Sequence, residues 1–445
     1  MPEGGRNRDR GRLGRVLRAV ALDRRPLAVP AFRRLWLGQT VTVVGSQMTQ
    51  VAVPVQVYGV THSSLDVGLT SMVSLLPLVV FGLLGGAIVD AMDRRTLLLI
   101  TGSGLAVTSL ALWAQALVMS PGSLPVLWSL VGVQSALFAI NSPARSTVIP
   151  RLVPPDQVPA ANALNQVVFN AGVILGPLAA GVLVAGGGLP WAYFIDAATF
   201  LVALYTLLRL PSMRPEGARR ANVGSVAEGL RFLALRPLIL MSFLVDIIAM
   251  VFSFPRALFP QLAATTYAGN GTALGWLYSG IAVGALVGAI SGGWLSRVRR
   301  QGMAVLIAIS VWSVAIMGFG LVSWLPAAIL LLALAGLGDM VSAVFRSSIL
   351  QTAAPDEMRG RLQGVFTVVV AGGPRLGDLR AGGFASFLSV GMASTVGGAI
   401  CLVGILAIAW KVPSFRRYDV RDSEGGATAE AEEAALREMT EVQSG

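Results

Sequence analysis

Asp196, Asp246 and Asp339 each sit inside a long apolar run of the chain. An ionisable group at such depth in a bilayer costs on the order of several kcal/mol unless it is paired or hydrated, so all three are candidate functional residues. A carboxylate held there can bind and release a proton, and proton coupling is the role assigned to Asp339 first, to Asp246 second and to Asp196 third. Arg375, Asp378 and Arg380 form a further cluster just past Gly372-Gly373-Pro374. These arginines either pair with Asp378 or attract an anionic substrate, and an Asp339–Arg375 pair separated by cargo or by a proton is expected. The competing reading is a set of salt bridges that only fixes helix packing. Arg145, Arg256 and Arg346 fall near the ends of apolar runs, where long side chains are expected to snorkel to the interface.

Neutral polar residues recur with helical spacing. Gln39, Thr42, Ser46, Thr49 and Gln50 share one face of the first apolar run, and Asn162, Gln166 and Asn170 share one face of the fifth. In lipid such faces turn toward a partner helix or a wet cavity. Gln39, Ser46, Gln50 and Gln166 are therefore candidate lining residues of a substrate cavity, with helix-packing hydrogen bonds as the alternative.

The elements that must position these groups are membrane helices. The chain has 445 residues, 54% hydrophobic and 13% charged, and its mean hydropathy is +0.71. That composition excludes an ordinary soluble protein. One cysteine, Cys401, precludes an internal disulfide, and with one histidine, His62, it makes an N/S transition-metal site improbable. Lys411 is the one lysine, so the phosphate-binding G-x4-G-K-[ST] loop is impossible. No enzyme motif is found, no cofactor is expected, and the +11 charge, spread over the loops, does not point to nucleic acid.

Twelve helices are expected, near 33–59, 65–89, 96–119, 124–149, 158–186, 189–209, 237–263, 272–296, 302–323, 326–351, 360–387 and 389–411. The connections alternate. One set contains no Lys or Arg, whereas the other holds Arg94 and Arg95, then Arg151, then six arginines between 209 and 236, then Arg297, Arg299 and Arg300, then Arg359 and Arg361. By the positive-inside rule both termini are cytoplasmic. The first run, from Leu35, is long enough to stay in the membrane, so no cleaved signal is expected. The organisation is then a basic disordered tail (1–31), a six-helix lobe (32–209), a linker with a surface helix at 223–235 (210–236), a second six-helix lobe (237–412) and an acidic disordered tail (413–445).

The halves repeat. Arg145-Ser146-Thr147-Val148-Ile149 before Pro155-Asp156 recurs as Arg346-Ser347-Ser348-Ile349-Leu350 before Pro355-Asp356. The turn after the second run reads Gly86-x3-Asp90-x3-Arg94-Arg95 and returns as Gly292-x3-Ser296-Arg297-x2-Arg300. The first form resembles the loop between helices 2 and 3 of major facilitator superfamily transporters, with Ala91 and Asp93 where that family carries Arg and Gly. The six-plus-six layout is also theirs. Helix 5 carries Gly172-x3-Gly176-Pro177-x3-Gly181, which resembles the motif of the superfamily's drug:proton antiporters. Mid-helix 4 lacks the arginine that many proton-coupled relatives carry.

Ala52-Val53-Pro54-Val55-Gln56, Thr61-His62-Ser63, Val67-Gly68-Leu69, Leu258-Phe259-Pro260, Gly275-Trp276-Leu277-Tyr278 and Leu350-Gln351-Thr352 are similar to the enterobactin exporter branch. So are Pro355, Glu357-Met358 and Gly360-Arg361. The resemblance covers both lobes and neither tail. It implies an all-α major facilitator fold with a gate at Gly86, Asp90, Arg94 and Arg95, locking one lobe to the other, and an antiporter motif at Gly172, Gly176, Pro177 and Gly181. It further implies proton-driven export of a siderophore-like or amphipathic small molecule from the bacterial inner membrane by a lipid-embedded monomer. Uptake by symport is the alternative, and a membrane enzyme a remote one.

Overall fold

A computed structural model describes residues 23–118, 123–213, 231, 233, 236–267, 271–353 and 356–419. Within its helices the side chains at 83, 85–87, 90, 353, 356–361, 363, 364 and 366–368 are not among those described. Residues 1–22 and 420–445 of the expected tails lie outside these residues, as does most of the expected surface helix at 223–235. The described parts of the tails are not disordered, since Arg25–Ala28 form a 3-10 turn, the first long helix starts at Pro30 and Pro413–Arg417 form a short helix.

The described chain is helical, with no strand. Its long elements are α1 (Pro30–Thr61), α2 (Ser64–Ala91), α3 (Arg94–Val118), α4 (Leu124–Leu152), α5 (Val158–Ala185) and α6 (Leu189–Leu208). The second half has α7a (Pro237–Ser253), α7b (Phe259–Thr265), α8 (Gly271–Ser291), α9 (Gln301–Leu321), α10 (Leu325–Ala353), α11 (Asp356–Ala385) and α12 (Val390–Lys411), then a short α13 (Pro413–Arg417). Counting α7a and α7b as one crossing gives twelve. Ten of them are long and apolar enough to cross a membrane on length and composition, and α1 and α11 are not in that set. Those two carry the polar face of Gln39–Gln50 and the Arg375–Arg380 cluster.

Local signals set the boundaries. Ser63 caps α2 by accepting a 3.2 Å bond from the Asp66 N–H, and Asp93 caps α3 by accepting one of 2.9 Å from Thr96. His62 enters the α1–α2 turn with φ of 52°, in the left-handed region. The seventh crossing departs from the continuous helix expected over 237–263. It breaks at Phe254-Pro255 into a 3-10 turn, Arg256–Leu258, before α7b. Pro255 has no N–H to continue the ladder and disfavours helical geometry at Phe254.

Two six-helix sets result. In the first, α1 packs on α5 and α6, α3 on α4 and α6, and α2 on α4. In the second, α9 packs on α10 and α12, α8 on α10, and α11 and α12 on α7a. The lobes meet along α2–α11 and α5–α8. The inter-lobe hydrogen bonds among the described residues are Ser64–Gln261, Ser71–Asp378, Ser74–Arg375 and Ser279–Ile174. All lie in the half of the bundle nearer the arginine-free loops. At the arginine-bearing face each lobe keeps its own apolar cluster, Leu35, Leu98 and Val148 in the first, Ile239, Phe243 and Leu362 in the second. Among the described residues no hydrogen bond joins the lobes there.

Candidate functional site

A cavity of about 270 Å³ lies between the lobes. The first lobe contributes Ser46, Thr49 and Gln50 from α1, Ser71 and Ser74 from α2, Gln134 and Phe138 from α4, and Phe200 from α6. The second contributes Phe254 and Arg256 from the α7 break, Tyr278 from α8, and Arg375 and Asp378 from α11. One wall is therefore neutral and polar with aromatic rings, and the other carries the charge. Of the four residues expected to line a cavity, Ser46 and Gln50 do so. Gln39 and Gln166 are not on its wall; Gln166 donates instead to Asn170 at 3.0 Å.

Behind the neutral wall lies Asp196, fully buried in α6. Its carboxylate accepts from Ser109 and Thr49 at 2.8 Å each and from Ser46 at 3.3 Å, while Ser109 accepts from Gln134 at 3.3 Å. No cation lies within ion-pair distance among the described residues. Hydroxyl donors from α1 and α3 hold this acid, and two of them also face the cavity.

The other two acids meet in the second lobe. Asp246 on α7a is ion-paired with Arg346 on α10, with side-chain exposures of 3% and 4%. Asp339, two helical turns before Arg346, lies 3.6 Å from the same guanidinium and is 33% exposed. The expected snorkelling of Arg346 is thus overturned: its charge is buried because two carboxylates meet it. The expected Asp339–Arg375 pair does not form either. The seven-residue spacing of Asp339 and Arg346, which puts both on one helix face, was the available signal for this cluster.

The expected pairing within Arg375–Arg380 is also corrected. Arg375 donates to the Ser74 hydroxyl at 3.1 Å and the Ala371 carbonyl at 2.6 Å. Asp378 accepts from the Ser71 hydroxyl at 2.8 Å and the Ala257 N–H at 3.0 Å. Arg380 donates to the carbonyls of Val251, Phe254 and Ala393 at 3.1, 3.4 and 3.2 Å. The break in α7 frees backbone groups that lipid cannot satisfy. Asp378 takes an orphan N–H of the break and Arg380 two of its carbonyls, so α11 holds the break together.

The glycines of α5 serve two interfaces. A Cβ at Gly172 would overlap Val43 of α1, and one at Gly176 would lie 2.5 Å from Gln47 Cβ. Gly181 faces the other lobe, where a Cβ would come 2.8 Å from the Gly275 backbone of α8, and the Pro177 carbonyl abuts Gly275 on the same side. Of the gate residues, the side chains of Gly86 and Asp90 lie outside those described. Arg95 donates to the Leu208 carbonyl at 2.8 Å, and the Arg94 N–H donates to the Met213 carbonyl at 3.2 Å. Asp93 accepts from the Ser212 hydroxyl at 2.8 Å and the Met213 N–H at 2.6 Å. The described part of this turn therefore binds its own lobe. Burial raises the Asp93 carboxyl, but its bonds from Thr96, Ser212 and Met213 outweigh that and leave it below the usual carboxylate range.

Comparison with known proteins agrees with this architecture. The family model described as transmembrane secretion effector matches residues 23–440. The chain is 30% identical over 382 residues to the enterobactin exporter EntS of Shigella boydii serotype 18, covering 85% of this chain and 91% of that one, and equally so to EntS of Escherichia coli O81. The fold is similar to the nucleoside transporter NupG (TM-score 0.70, 13% identity, 87% of this chain and 100% of that one). It is also similar to a bacterial homologue of the iron transporter ferroportin solved in an inward-facing state (TM-score 0.65, 16% identity, 87% and 98%). A chain with this fold, an inter-lobe cavity and these relatives is a transporter of small molecules rather than an enzyme, and it belongs to the transmembrane secretion effector family of the major facilitator superfamily.

Proposed function

We propose that the protein is a proton-driven exporter of a siderophore-like or amphipathic compound, working by alternating access across the bacterial inner membrane. The observation that carries the coupling is Arg346 shared by Asp246 and Asp339. Two ionised acids and one guanidinium leave the cluster at −1, and one bound proton makes it neutral. Burial penalises uncompensated charge, so the cluster favours taking up one proton. Asp246 makes the direct contact with the guanidinium. Asp339, farther away and more exposed, carries the proton. Asp196 is the second reading: a buried acid without a cation, linked to the cavity through Ser109 and Gln134.

Export direction is supported by the named function of the EntS relatives and by the Gly172–Gly181 motif. If the arginine-bearing loops are cytoplasmic, both termini are cytoplasmic and the lobes here part on the cytoplasmic side. The cavity is then positioned to load from the cell interior. No second copy is needed to complete the site, so the working unit is a monomer in lipid. The gate role of Gly86, Asp90, Arg94 and Arg95 belongs to the opposite state, in which the cytoplasmic ends close.

The test is flux in inside-out vesicles under an imposed pH gradient, acid inside. Wild type should take up exported cargo against its gradient, with alkalinisation of the lumen. Uptake driven by the reversed gradient would establish symport instead.

A further inference from the structure

The break in α7 turns one arginine into the cavity. Arg256 opens the 3-10 turn, and its guanidinium carbon lies 5.6 Å from the Phe254 ring centre and 5.8 Å from that of Tyr278. It donates no hydrogen bond and has no acid within 4 Å among the described residues, and its buried Nε is unpartnered. Among the described residues, three other arginines inside the helices of this lobe are already engaged. Arg346 is neutralised by acids, Arg375 is bound to Ser74 and Ala371, and Arg380 is bound to three carbonyls. The one acid on the cavity wall, Asp378, is anchored by Ser71 and by the Ala257 N–H, next in sequence to Arg256. Each of its oxygens accepts one of those bonds, and the carboxylate stays beyond ion-pair distance of the guanidinium.

A guanidinium presents five donors in a planar fork that fits a carboxylate or sulfonate in two parallel bonds. The ring faces of Phe254 and Tyr278 beside it favour a cation there, and a guanidinium partly shielded from water attracts an anion more strongly. The opposite wall carries Phe138 and Phe200, with neutral Gln50 and Gln134. A bound molecule thus meets a guanidinium that makes no hydrogen bond among the described residues, beside aromatic surface.

We propose that Arg256 sets cargo specificity by binding a planar oxyanion, carboxylate or sulfonate, on an aromatic cargo held in this cavity. The proposal deepens the transport reading by naming the cargo class, and it does not depend on direction or coupling.

The experiment is calorimetric titration of the full chain in phosphatidylcholine nanodiscs, without any gradient, using 1-naphthoate and its neutral amide, 1-naphthamide. Wild type should bind naphthoate tenfold or more tightly than naphthamide. Arg256→Gln should abolish that preference, so that the variant no longer distinguishes naphthoate from naphthamide. Equal affinities in wild type, or an undiminished preference in Arg256→Gln, would overturn the proposal. If Arg256→Gln also loses naphthamide, its fold is at fault and Arg256→Lys decides. A preference reduced severalfold by loss of the fork supports the assignment, and a wild-type preference overturns it. Naphthoate binding competed away by added phosphatidylglycerol would make a lipid headgroup the occupant and would equally overturn it. A carrier that imported its cargo would give the same titrations, so failure of the export reading is separately visible.

Discussion

Arg346 in α10 and Asp246 in α7a neutralise each other where neither side chain is more than 4% exposed, and Asp339, two turns earlier on α10, approaches the same guanidinium. Removing one member of such a pair leaves a buried charge uncompensated, which costs about 3–5 kcal/mol. Asp246→Asn should therefore lower the thermal unfolding temperature of the purified protein, with Asp339 limiting the loss to the lower end of that range. The double variant Asp246→Asn/Arg346→Gln should be less destabilised than the single one. A single variant that melts with wild type would remove the pair from the list of stabilising contacts.

Asp339→Asn tests coupling more directly, because this acid is the less confined of the two. We expect flux driven by a pH gradient to fall tenfold or more, while exchange of cargo down its own gradient persists. Asp196→Asn should reduce flux only severalfold, since an amide oxygen can still accept from Ser109 or Thr49. Should Asp196→Asn abolish the pH response and Asp339→Asn preserve it, the coupling site lies in the first lobe.

The contact of α5 with α8 predicts a steric result. Gly181→Leu should eliminate transport because the side chain must displace the Gly275 backbone rather than a flexible side chain. Gly176→Leu should do the same against α1 by displacing Gln47. Gly383→Ala is the control: a Cβ there meets nothing within 4 Å, and flux should stay at the wild-type level.

Asp93 offers a pH signature outside the membrane. Its folded carboxyl lies below the usual range, so its contribution is present above the unfolded value of about 4 and is lost as pH falls through the folded value. Asp93→Ala should cost about 1 kcal/mol as a lost cap at pH 7. The gap in unfolding temperature between it and wild type should narrow below about pH 4. A gap that is constant from pH 7 to pH 3 would contradict the assigned role of the carboxylate.

The sequence made the scaffold legible because apolar length and loop arginines are local properties of the chain. The ends of α2, α5, α6 and α12 fall within a few residues of the expected positions. Partners across the bundle were harder to read. Arg346 looked like a helix-end residue because Asp246, its partner, lies a hundred positions away on another helix. Arg375, Asp378 and Arg380 suggested mutual pairing by proximity in sequence. Along a helix, however, Asp378 and Arg380, two apart, point in different directions, and although Arg375 and Asp378 share a face, each of the three is held by a partner on α2 or at the α7 break instead. Pro255 was visible as a breaker, but the satisfaction of that break from α11 depends on packing that no local pattern encodes.

The polarity of α1 has a consequence for biogenesis. This helix precedes the other described membrane helices in the chain, yet it is not among those apolar enough to cross a membrane by composition. Its fully buried Gln56 is satisfied by Gln115 of α3 and Tyr193 of α6, and its Ser46 and Thr49 by Asp196 of α6. A translocon that sorts segments by apolarity does not commit such a helix to lipid on its own merits. Integration of α1 is therefore expected to wait for α3 and α6, which makes the first six helices a single insertion unit. A glycosylation-site reporter inserted between α1 and α2 should be incompletely modified when translation is truncated after α2 and fully modified after α6. The groups that make the cavity polar would then also fix the order in which the chain enters the membrane.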